Sequence, residues 1–341
     1  MTVGKRLKIA IYTAIISAII GSFVFLILSS GLRKLAIIAL IATLAVFVIS
    51  LVVTLILEGK PAKVRVPVFA AVILISVIVV LSLITYQIGL RILFRPGFNE
   101  DAYDELTDLK GGVQTIEIGD YSGWRIPASS VSPSEARPVI LYFAGNGGDS
   151  SKMTLFILEH DELAFLHENY DFIYVDYPSY GNSGGVLSES SIKEFALEVY
   201  EGVSSLDTTS SVTVIAYSLG NGPAVYLTSQ EEADIDNLIL LAPYNSGYDL
   251  YNSSLNIFHG PLRLLVAYKM PVYSFASDVT CPVTIIASSD DEVVPIDSSR
   301  DLFSYFRVSS SSNFITVNGV DHDDFWDSEA VTSQIETILE G

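Results

Sequence analysis

The chain has 341 residues, 50% of which are hydrophobic, and its 39 acidic residues outnumber its 19 basic ones. The apolar residues are concentrated near the N-terminus, where segments 9–32, 35–57 and 66–90 contain no Asp, Glu, Lys or Arg. This composition excludes an average soluble protein, which is more polar, and a full multi-span transporter, which is more apolar.

The three apolar segments predict a membrane domain over residues 1–95, with transmembrane helices at about 9–30, 35–57 and 66–90. Roughly 20 apolar residues are enough for a helix to cross a bilayer, and none of these segments has the polar face of a soluble helix. Basic residues precede the first segment, as they do in a signal peptide, but two further spans follow directly and favour retained helices.

The basic residues that flank the spans predict the orientation of the protein. Six fall on the N-terminal side of the membrane and four on the other, which favours a cytoplasmic N-terminus and an extracytoplasmic C-terminal domain. The first group comprises Lys5, Arg6, Lys8, Lys60, Lys63 and Arg65, and the second comprises Arg33, Lys34, Arg91 and Arg95. We therefore expect a multi-pass integral membrane protein whose partners include the lipid bilayer.

The charge of the chain divides at the same place as its hydropathy. Residues 1–95 hold ten of the 19 basic residues and only one acid, so that nine basic and 38 acidic residues remain for 96–341. A domain this acidic repels nucleic acid, and we expect no nucleic-acid partner. The single cysteine, Cys281, excludes an intrachain disulfide.

After the spans, the sequence predicts an alternation of strands and helices. Segment 96–112 is acidic, contains a glycine pair and is interpreted as a linker or as the first turn of the soluble part. Segment 113–119 alternates apolar and polar residues, as a half-buried strand does, whereas 138–145 is a continuous apolar run, typical of a strand buried on both faces. We predict further strands at 124–127, 171–177, 211–217, 237–243, 283–288 and 313–319, and helices at 154–168, 191–206, 219–230, 299–306 and 328–339.

Alternating strands and helices predict a mostly parallel sheet that is covered on both faces. The first two strands, because they alternate, are expected to form an antiparallel edge. Residues 244–280 interrupt the alternation and are rich in Tyr, Phe, Leu and Asn. We interpret them as a small cap over the sheet, so that 113–341 forms one α/β catalytic domain.

The stretch AYSLG, residues 216–220, lies between a predicted strand and a predicted helix. A serine at such a junction is typical of a nucleophile elbow, in which the residues two before and two after the serine must be small. Here they are Ala216 and Gly220, and alanine departs from the usual glycine. We therefore predict Ser218 as a nucleophile, with an ordinary strand–helix turn as the alternative.

A serine nucleophile needs a base and an acid, which follow it in this order: serine, acid, histidine. His322 follows the last predicted strand and is the candidate base, since His160 and His167 precede the serine and His259 lies in the cap. The candidate acid lies in the loop after the preceding strand, where Asp291 is the first choice and Asp290 the second. Its task is to accept the imidazole N–H and to hold one tautomer.

An oxyanion hole is the last requirement of acyl transfer. Its expected donors are the backbone N–H groups of Leu219, after the nucleophile, and of Asn146, in the loop FAGNGG (143–148). This loop lacks the Lys-Ser/Thr of a phosphate-binding P-loop. The acidic run at 321–324 could suggest a metal site, but adjacent residues rarely converge on one ion, and we expect neither a metal nor a cofactor.

Together, these residues resemble the α/β-hydrolase superfamily, and in particular its membrane-anchored serine hydrolases with a His-Gly-Asn oxyanion loop, which are similar to serine aminopeptidases and acyl hydrolases. The resemblance covers roughly residues 110–340. It rests on YFAGNGGD (142–149), with Ala144 in place of the histidine, on DYPSYGNSGG (176–185), on AYSLG, and on SSDDEVVP followed by GVDHDD. The family pattern Asp-x-Val-hydrophobic-Pro aligns with DEVVP and selects Asp291 over Asp290.

The resemblance implies an α/β-hydrolase fold, a mostly parallel sheet flanked by helices with a small cap, preceded here by three transmembrane helices. It implies an enzyme that cleaves an acyl ester, thioester or amide through an acyl-enzyme on Ser218, from a small-molecule or lipid substrate. The alternative is a catalytically inactive binding or scaffold module in the membrane, suggested by Ala144 and Ala216, two departures from the family pattern at the site.

Overall fold

The computed structural model describes residues 93–109, 111–254, 256–307 and 312–340, together with 60–64, 66–68, 70, 71, 74 and 89. The first two predicted transmembrane helices lie outside the described residues, as does most of the third, 66–90. Among the residues that the structure describes, no helix has both the length and the apolar character needed to cross a bilayer. The chain forms two compact units, Met1–Gly89 and Leu90–Gly341, and the second carries the features below.

The second unit is built on an eight-stranded sheet in the order β1-β2-β4-β3-β5-β6-β7-β8. Strands β1 and β2 pair antiparallel with each other, and β2 pairs antiparallel with β4, while all other neighbours are parallel. The strands are β1 Gln114–Ile118, β2 Tyr121–Ile126, β3 Arg137–Phe143, β4 Asp171–Val175, β5 Thr209–Tyr217, β6 Asn237–Leu241, β7 Val283–Ser288 and β8 Asn313–Val317. The predicted mostly parallel sheet with an antiparallel edge is thus confirmed.

The sequence pattern of each strand explains its place in the sheet. The central strands are continuous apolar runs, because helices cover both of their faces; β6, for example, reads NLILL and is buried from its second residue onward. The edge strand β1 alternates exposed and half-buried residues, as a strand with one solvated face does.

The helices of this unit lie largely where the sequence pattern predicts them. They are α1 Glu100–Asp108, α2 Ser150–Glu159, α3 Phe165–Glu168, α4 Glu189–Ser204, α5 Asn221–Thr228, α6 Gly247–Ser254, α7 Val272–Ala276, α8 Ile296–Phe303 and α9 Glu329–Glu340. Short 3₁₀ turns occupy Asp161–Leu163, Ser218–Gly220, Gly260–Leu265 and His322–Asp324. The segment interpreted as a cap, 244–280, holds α6, α7 and one of these turns.

Two predictions of local structure need correction. The segment interpreted as a linker, 96–112, contains helix α1, which is capped by the Asn99 side chain and buries Ala102 and Leu106. The sequence pattern did not predict this helix, because the helix buries only these two side chains and most of its other residues are acidic or polar. The helix predicted at 154–168 begins earlier, because Asp149 caps it at Ser150, and ends at Glu159 before the chain turns.

The parallel strands β3 to β8 direct their carboxyl ends to one edge of the sheet. Loops at this edge therefore bring together segments that are far apart in the sequence. They are the loop after β3, the junction after β5, and the loops after β7 and β8, which carry all the predicted site residues.

Candidate active site

Ser218 lies at the end of β5, where the strand turns abruptly into a 3₁₀ turn and then into α5. Its φ angle is 50°, in the left-handed region that side chains other than glycine rarely adopt. Such strain persists where the surroundings impose it, often at functional sites. The local structure is therefore a strained strand–helix junction, which is the backbone geometry that a nucleophile elbow requires.

Close packing at the elbow explains which small residues it requires. A Cβ atom at Gly220 would lie 2.1 Å from the backbone oxygen of Phe143, a clash that no relaxation of a side chain could relieve. Ala216 is fully buried and pairs with Phe143 on β3 and with Leu240 on β6. The fold thus accommodates the methyl group of Ala216, and the strict need for glycine falls on position 220.

The elbow is also held by Asn221, a residue that the sequence analysis did not select. Its buried side-chain amide donates to the carbonyl of Ser218 at 2.7 Å and to that of Leu241, at the end of β6, at 2.9 Å. The side chain therefore connects Ser218 to the neighbouring strand β6. A polar residue three positions after the serine, within an apolar helix, was the signal available in the sequence.

His322 and Ser218 are in direct contact. His322 Nε2 lies 2.8 Å from Ser218 Oγ, and both residues are less than a tenth exposed. The histidine begins the 3₁₀ turn after β8, where the side chain of Asp321 accepts its backbone N–H. A neutral imidazole in this position can accept the serine proton through Nε2 when Nδ1 carries the other proton.

Asp291 is the carboxylate that faces His322. Its Oδ2 atom lies 2.7 Å from His322 Nδ1, while Oδ1 accepts the backbone N–H groups of Val293 and Val294, each at 2.8 Å. The two amides fix the rotation of the carboxylate and leave one oxygen free for the imidazole.

The neighbouring carboxylate of Asp290 has hydrogen-bond partners different from those of Asp291. Its side chain is exposed and accepts the backbone N–H of Gly319 and the hydroxyl of Ser289. These two donors hold the pKa of the Asp290 carboxyl below its usual value. The geometry thus agrees with Asp291, the first choice, and gives Asp290 the role of linking the loops after β7 and β8.

The loop after β3 passes directly over the elbow. A Cβ atom at Gly145 would lie 2.9 Å from the ring of Tyr217 and 3.4 Å from Ser218 Cβ, so only glycine permits this approach. Asn146 is exposed at the next position, and Gly147 has a φ of 71°. Leu219 is buried, and its N–H belongs to the first turn after the strand, where helical N–H groups have no internal partner.

The backbone carbonyl of Ala144, where the resemblance leads one to expect histidine, accepts a hydrogen bond from a tyrosine. Tyr177, which follows β4, donates its hydroxyl to the carbonyl of Ala144 at 3.0 Å. The ring is buried, and burial raises the pKa of this phenol well above its usual value, so the hydroxyl keeps its proton. The sequence signal was the DYPSYG stretch, which the resemblance marked without assigning its side chains a role.

Tyr217 connects the elbow to the histidine loop, and sequence reasoning did not predict this role. Its hydroxyl donates to the backbone carbonyl of His322, and its ring stacks on the imidazole with centroids 5.2 Å apart. Because the same ring packs against Gly145, Tyr217 contacts both the base and the loop after β3.

The carboxyl group of Asp176 is buried next to the end of the loop after β3. Asp176 accepts the backbone N–H and the hydroxyl of Ser150, both at 2.7 Å, at the start of α2. Burial raises the pKa of Asp176 to about 7, although the two hydrogen bonds from Ser150 lower it in part. The residue therefore changes its charge near neutral pH, next to the end of the loop.

The acidic run at 321–324 forms the 3₁₀ turn of His322 and its cap. Within the described part of the chain, no group of three or more His, Cys, Asp or Glu side chains is arranged to hold a metal ion.

Comparison with known proteins agrees with this architecture. An esterase of Pyrococcus furiosus matches 67% of this chain and 90% of its own at 15% identity, with a TM-score of 0.52. Est1E from Butyrivibrio proteoclasticus matches the same share of this chain and 98% of its own at 17% identity, also with a TM-score of 0.52. The chain thus has the fold of these esterases, an α/β-hydrolase fold.

Sequence relatives of this chain include an uncharacterised protein of Mycobacterium tuberculosis, 26% identical over 62% of this chain and 71% of the relative. They also include the lysophosphatidylserine lipase ABHD12 of Xenopus tropicalis, 27% identical over 50% of this chain and 47% of the relative. The match thus spans about half the length of the lipase. No model of a known protein family matches the chain. The relative with a named activity is a lipase, which supports the expectation of a hydrolase enzyme.

Proposed function

We propose that this α/β-hydrolase is a membrane-bound serine hydrolase that cleaves an acyl ester through an acyl-enzyme on Ser218. The observation that carries the proposal is the continuous line of hydrogen bonds from Ser218 Oγ to His322 Nε2, and from His322 Nδ1 to Asp291 Oδ2, at 2.8 and 2.7 Å. A serine hydroxyl becomes a useful nucleophile only when a positioned base removes its proton.

The chemistry proceeds in two halves. Ser218 Oγ attacks the acyl carbon as His322 Nε2 takes its proton, and the tetrahedral adduct collapses when the imidazolium returns that proton to the leaving alcohol. Water then attacks the acyl-enzyme as His322 takes a proton from it, and the second adduct releases the carboxylic acid while the imidazolium returns the proton to Ser218 Oγ. Asp291 orients the imidazole and stabilises its charged form.

The negative oxygen of each tetrahedral adduct requires donors on the opposite side of the acyl carbon from His322. We assign them to the backbone N–H groups of Leu219 and Asn146. Leu219 follows the nucleophile, and Asn146 follows Gly145, which packs against the elbow. Such preorganised donors typically contribute a factor of about 10² to 10³ each to the rate.

A lipid ester is the substrate class that we favour over a thioester or an amide. The named relatives are lysophosphatidylserine lipases, although they share only 27–28% identity with this chain over about half of its length. The three predicted transmembrane helices would hold the active site close to a bilayer, where a lipid ester is abundant. This membrane anchoring, with an extracytoplasmic catalytic domain, is part of the proposal.

The proposal is tested with the full chain in detergent and in lipid nanodiscs. Hydrolysis is measured on p-nitrophenyl esters with acyl chains of two to sixteen carbons, on a monoacylglycerol and on lysophosphatidylserine. We expect turnover that rises with chain length and that Ser218→Ala lowers by at least about 10⁴-fold. A folded wild-type chain that hydrolyses none of these esters would contradict the proposal, as would a Ser218→Ala variant with near-normal turnover.

A further inference from the structure

The segment 93–98, which directly precedes α1, contains one deeply buried residue among exposed or half-buried ones. Phe94 is 1% exposed, whereas Arg95, Gly97 and Phe98 are exposed. Large apolar side chains that are fully buried within an otherwise open segment anchor that segment to its surroundings. The anchoring surface in this case is the active-site region.

Phe94 contacts two parts of this region. Its ring meets that of Tyr268, in the cap, edge to face, with centroids 5.0 Å apart and an interplanar angle of 85°. Its carbonyl oxygen accepts the backbone N–H of Gly147 at 3.2 Å. The next residue, Arg95, has a left-handed φ of 43°, which bends the chain immediately after the contact.

A second main-chain bond joins the same segment to the site. The carbonyl of Gly97 accepts the backbone N–H of Gly181 at 2.9 Å. Gly181 approaches Asp176 so closely that a Cβ atom at position 181 would lie 2.0 Å from the carboxylate. The segment 93–98 is therefore bonded to the loop after β3 and to the loop after β4.

The bond to Gly147 bears directly on the geometry of Asn146. The carbonyl of Asn146 and the N–H of Gly147 belong to one planar peptide unit, so holding this N–H fixes one side of Asn146. At the other end of the loop, Tyr177 holds the carbonyl of Ala144 at 3.0 Å. The N–H of Asn146 thus lies between two hydrogen-bonded backbone groups, the carbonyl of Ala144 and the N–H of Gly147. Ala144 itself has only a methyl group and can supply no polar anchor.

We propose that Phe94 is a positioning residue for the oxyanion hole, whose buried ring anchors the segment 93–98 so that its carbonyl holds the amide of Gly147. The inference rests on the proposed function, because it concerns the donor assigned to Asn146. Phe94 does not touch the reacting atoms and acts through the loop. Phe94 lies outside all of the sequence motifs described above.

The test compares Phe94→Ala with Phe98→Ala in the full chain. Phe98 is the matched control, because it lies in the same segment, is 44% exposed and contacts only Tyr103 among the described ring pairs. We expect Phe94→Ala to lower kcat for a p-nitrophenyl ester by about 10-fold or more, since loss of one whole donor costs about 10² to 10³. KM should stay within about threefold, and Phe98→Ala should match the wild type within about twofold.

Two further readouts separate positioning from a merely structural role. A trifluoromethyl ketone, which forms an oxyanion on Ser218, should lose about as much affinity in Phe94→Ala as kcat loses. Hydrogen exchange at residues 145–148 should accelerate in Phe94→Ala and not in Phe98→Ala, because the Gly147 amide is freed. The exchange measurement does not depend on any catalytic activity.

If Phe94→Ala does not accumulate as folded protein, Phe94→Leu is measured in its place. Leucine keeps an apolar side chain at position 94 but cannot make the ring contact with Tyr268. The variant should lower kcat about threefold and accelerate exchange at 145–148. Wild-type kcat and exchange in Phe94→Leu, or equal effects of the two alanine variants, would overturn the inference. A wild-type chain without esterase activity would overturn the proposed function instead, while exchange still reports on the anchoring of the loop.

Discussion

The two sides of the active site are built in different ways. On the acid–base side, His322 and Asp291 meet Ser218 through side chains, which hydrogen-bond in a line. On the proposed oxyanion side, the loop after β3 supplies backbone groups, and Tyr177 and Phe94 each form a hydrogen bond to this loop. Chemistry that uses side chains requires particular residue types, whereas chemistry that uses the backbone requires only the right conformation.

This difference predicts unequal sensitivities. A change on the acid–base side removes a proton acceptor or reverses a tautomer, and the rate should fall by orders of magnitude. A change among the residues that support the loops displaces a group by a fraction of an ångström, and the rate should fall less.

Among the variants that compare the two sides, the largest expected effect comes from Asp291→Asn. The two amides of Val293 and Val294 require an acceptor at Oδ1, so the asparagine would turn its NH₂ group toward His322 Nδ1. That donor favours the tautomer with the proton on Nε2, which cannot accept the serine proton. We expect kcat to fall by about 10³- to 10⁴-fold, as measured by ester hydrolysis.

Asp290→Asn is the matched control for this change, since it removes the adjacent carboxylate, which faces Gly319 and not the histidine. Its kcat should remain within about threefold of the wild type. A larger loss in Asp290→Asn than in Asp291→Asn would exchange the roles of the two residues and contradict the geometry.

An intermediate effect is expected from Tyr217→Phe. The variant keeps the ring that stacks on His322 but removes the hydroxyl that donates to the His322 carbonyl. We expect kcat to fall by about 10-fold with KM little changed, because the histidine loop loses one of its anchors. Steady-state kinetics of both parameters provide the measurement.

Tyr170→Phe controls for the loss of a tyrosine hydroxyl. Tyr170 donates to the carbonyl of Leu339 at 2.8 Å, in α9, through the same kind of bond. Its kcat should equal that of the wild type. If both variants lose the same activity, Tyr217 has only a general structural role.

The smallest effect concerns stability rather than rate. The folded-state pKa of Asp176, about 7, lies above its ordinary value of 3.8, so between these pH values the folded protein keeps a proton that the unfolded chain has lost. This group therefore lowers the free energy of unfolding as pH rises, by up to about 1.4 kcal/mol per pH unit. Unfolding of the wild type and of Asp176→Asn, followed in denaturant from pH 4.5 to 7.5, should show the wild type losing stability relative to the variant. Parallel profiles would exclude this titration.

The comparison between the two sides also explains what the sequence predicts. Residue type and chain order predict Ser218, His322 and Asp291 as one site, because acid–base chemistry tolerates few substitutes, and in the structure these three side chains are hydrogen-bonded. Hydropathy likewise predicts the central strands, since a strand covered on both faces must be apolar.

The supporting residues escape such reasoning. Asn221, Tyr217 and Phe94 act through bonds to backbone atoms of distant segments, and many residue types in many patterns can make such bonds. Helix α1 was missed for a related reason, because only two of its side chains are buried. Their roles appear only when the fold brings the segments together.

The most direct test of the central claim is labelling by a fluorophosphonate probe, which reacts with an activated serine and can be mapped by mass spectrometry. The wild-type chain should be labelled on the peptide that contains Ser218, Ser218→Ala should remain unlabelled, and His322→Ala should react at least about 10³-fold more slowly for lack of its base. Labelling that persists in Ser218→Ala, or a folded wild-type chain that does not react, would contradict the account, and the second result would favour an inactive binding module.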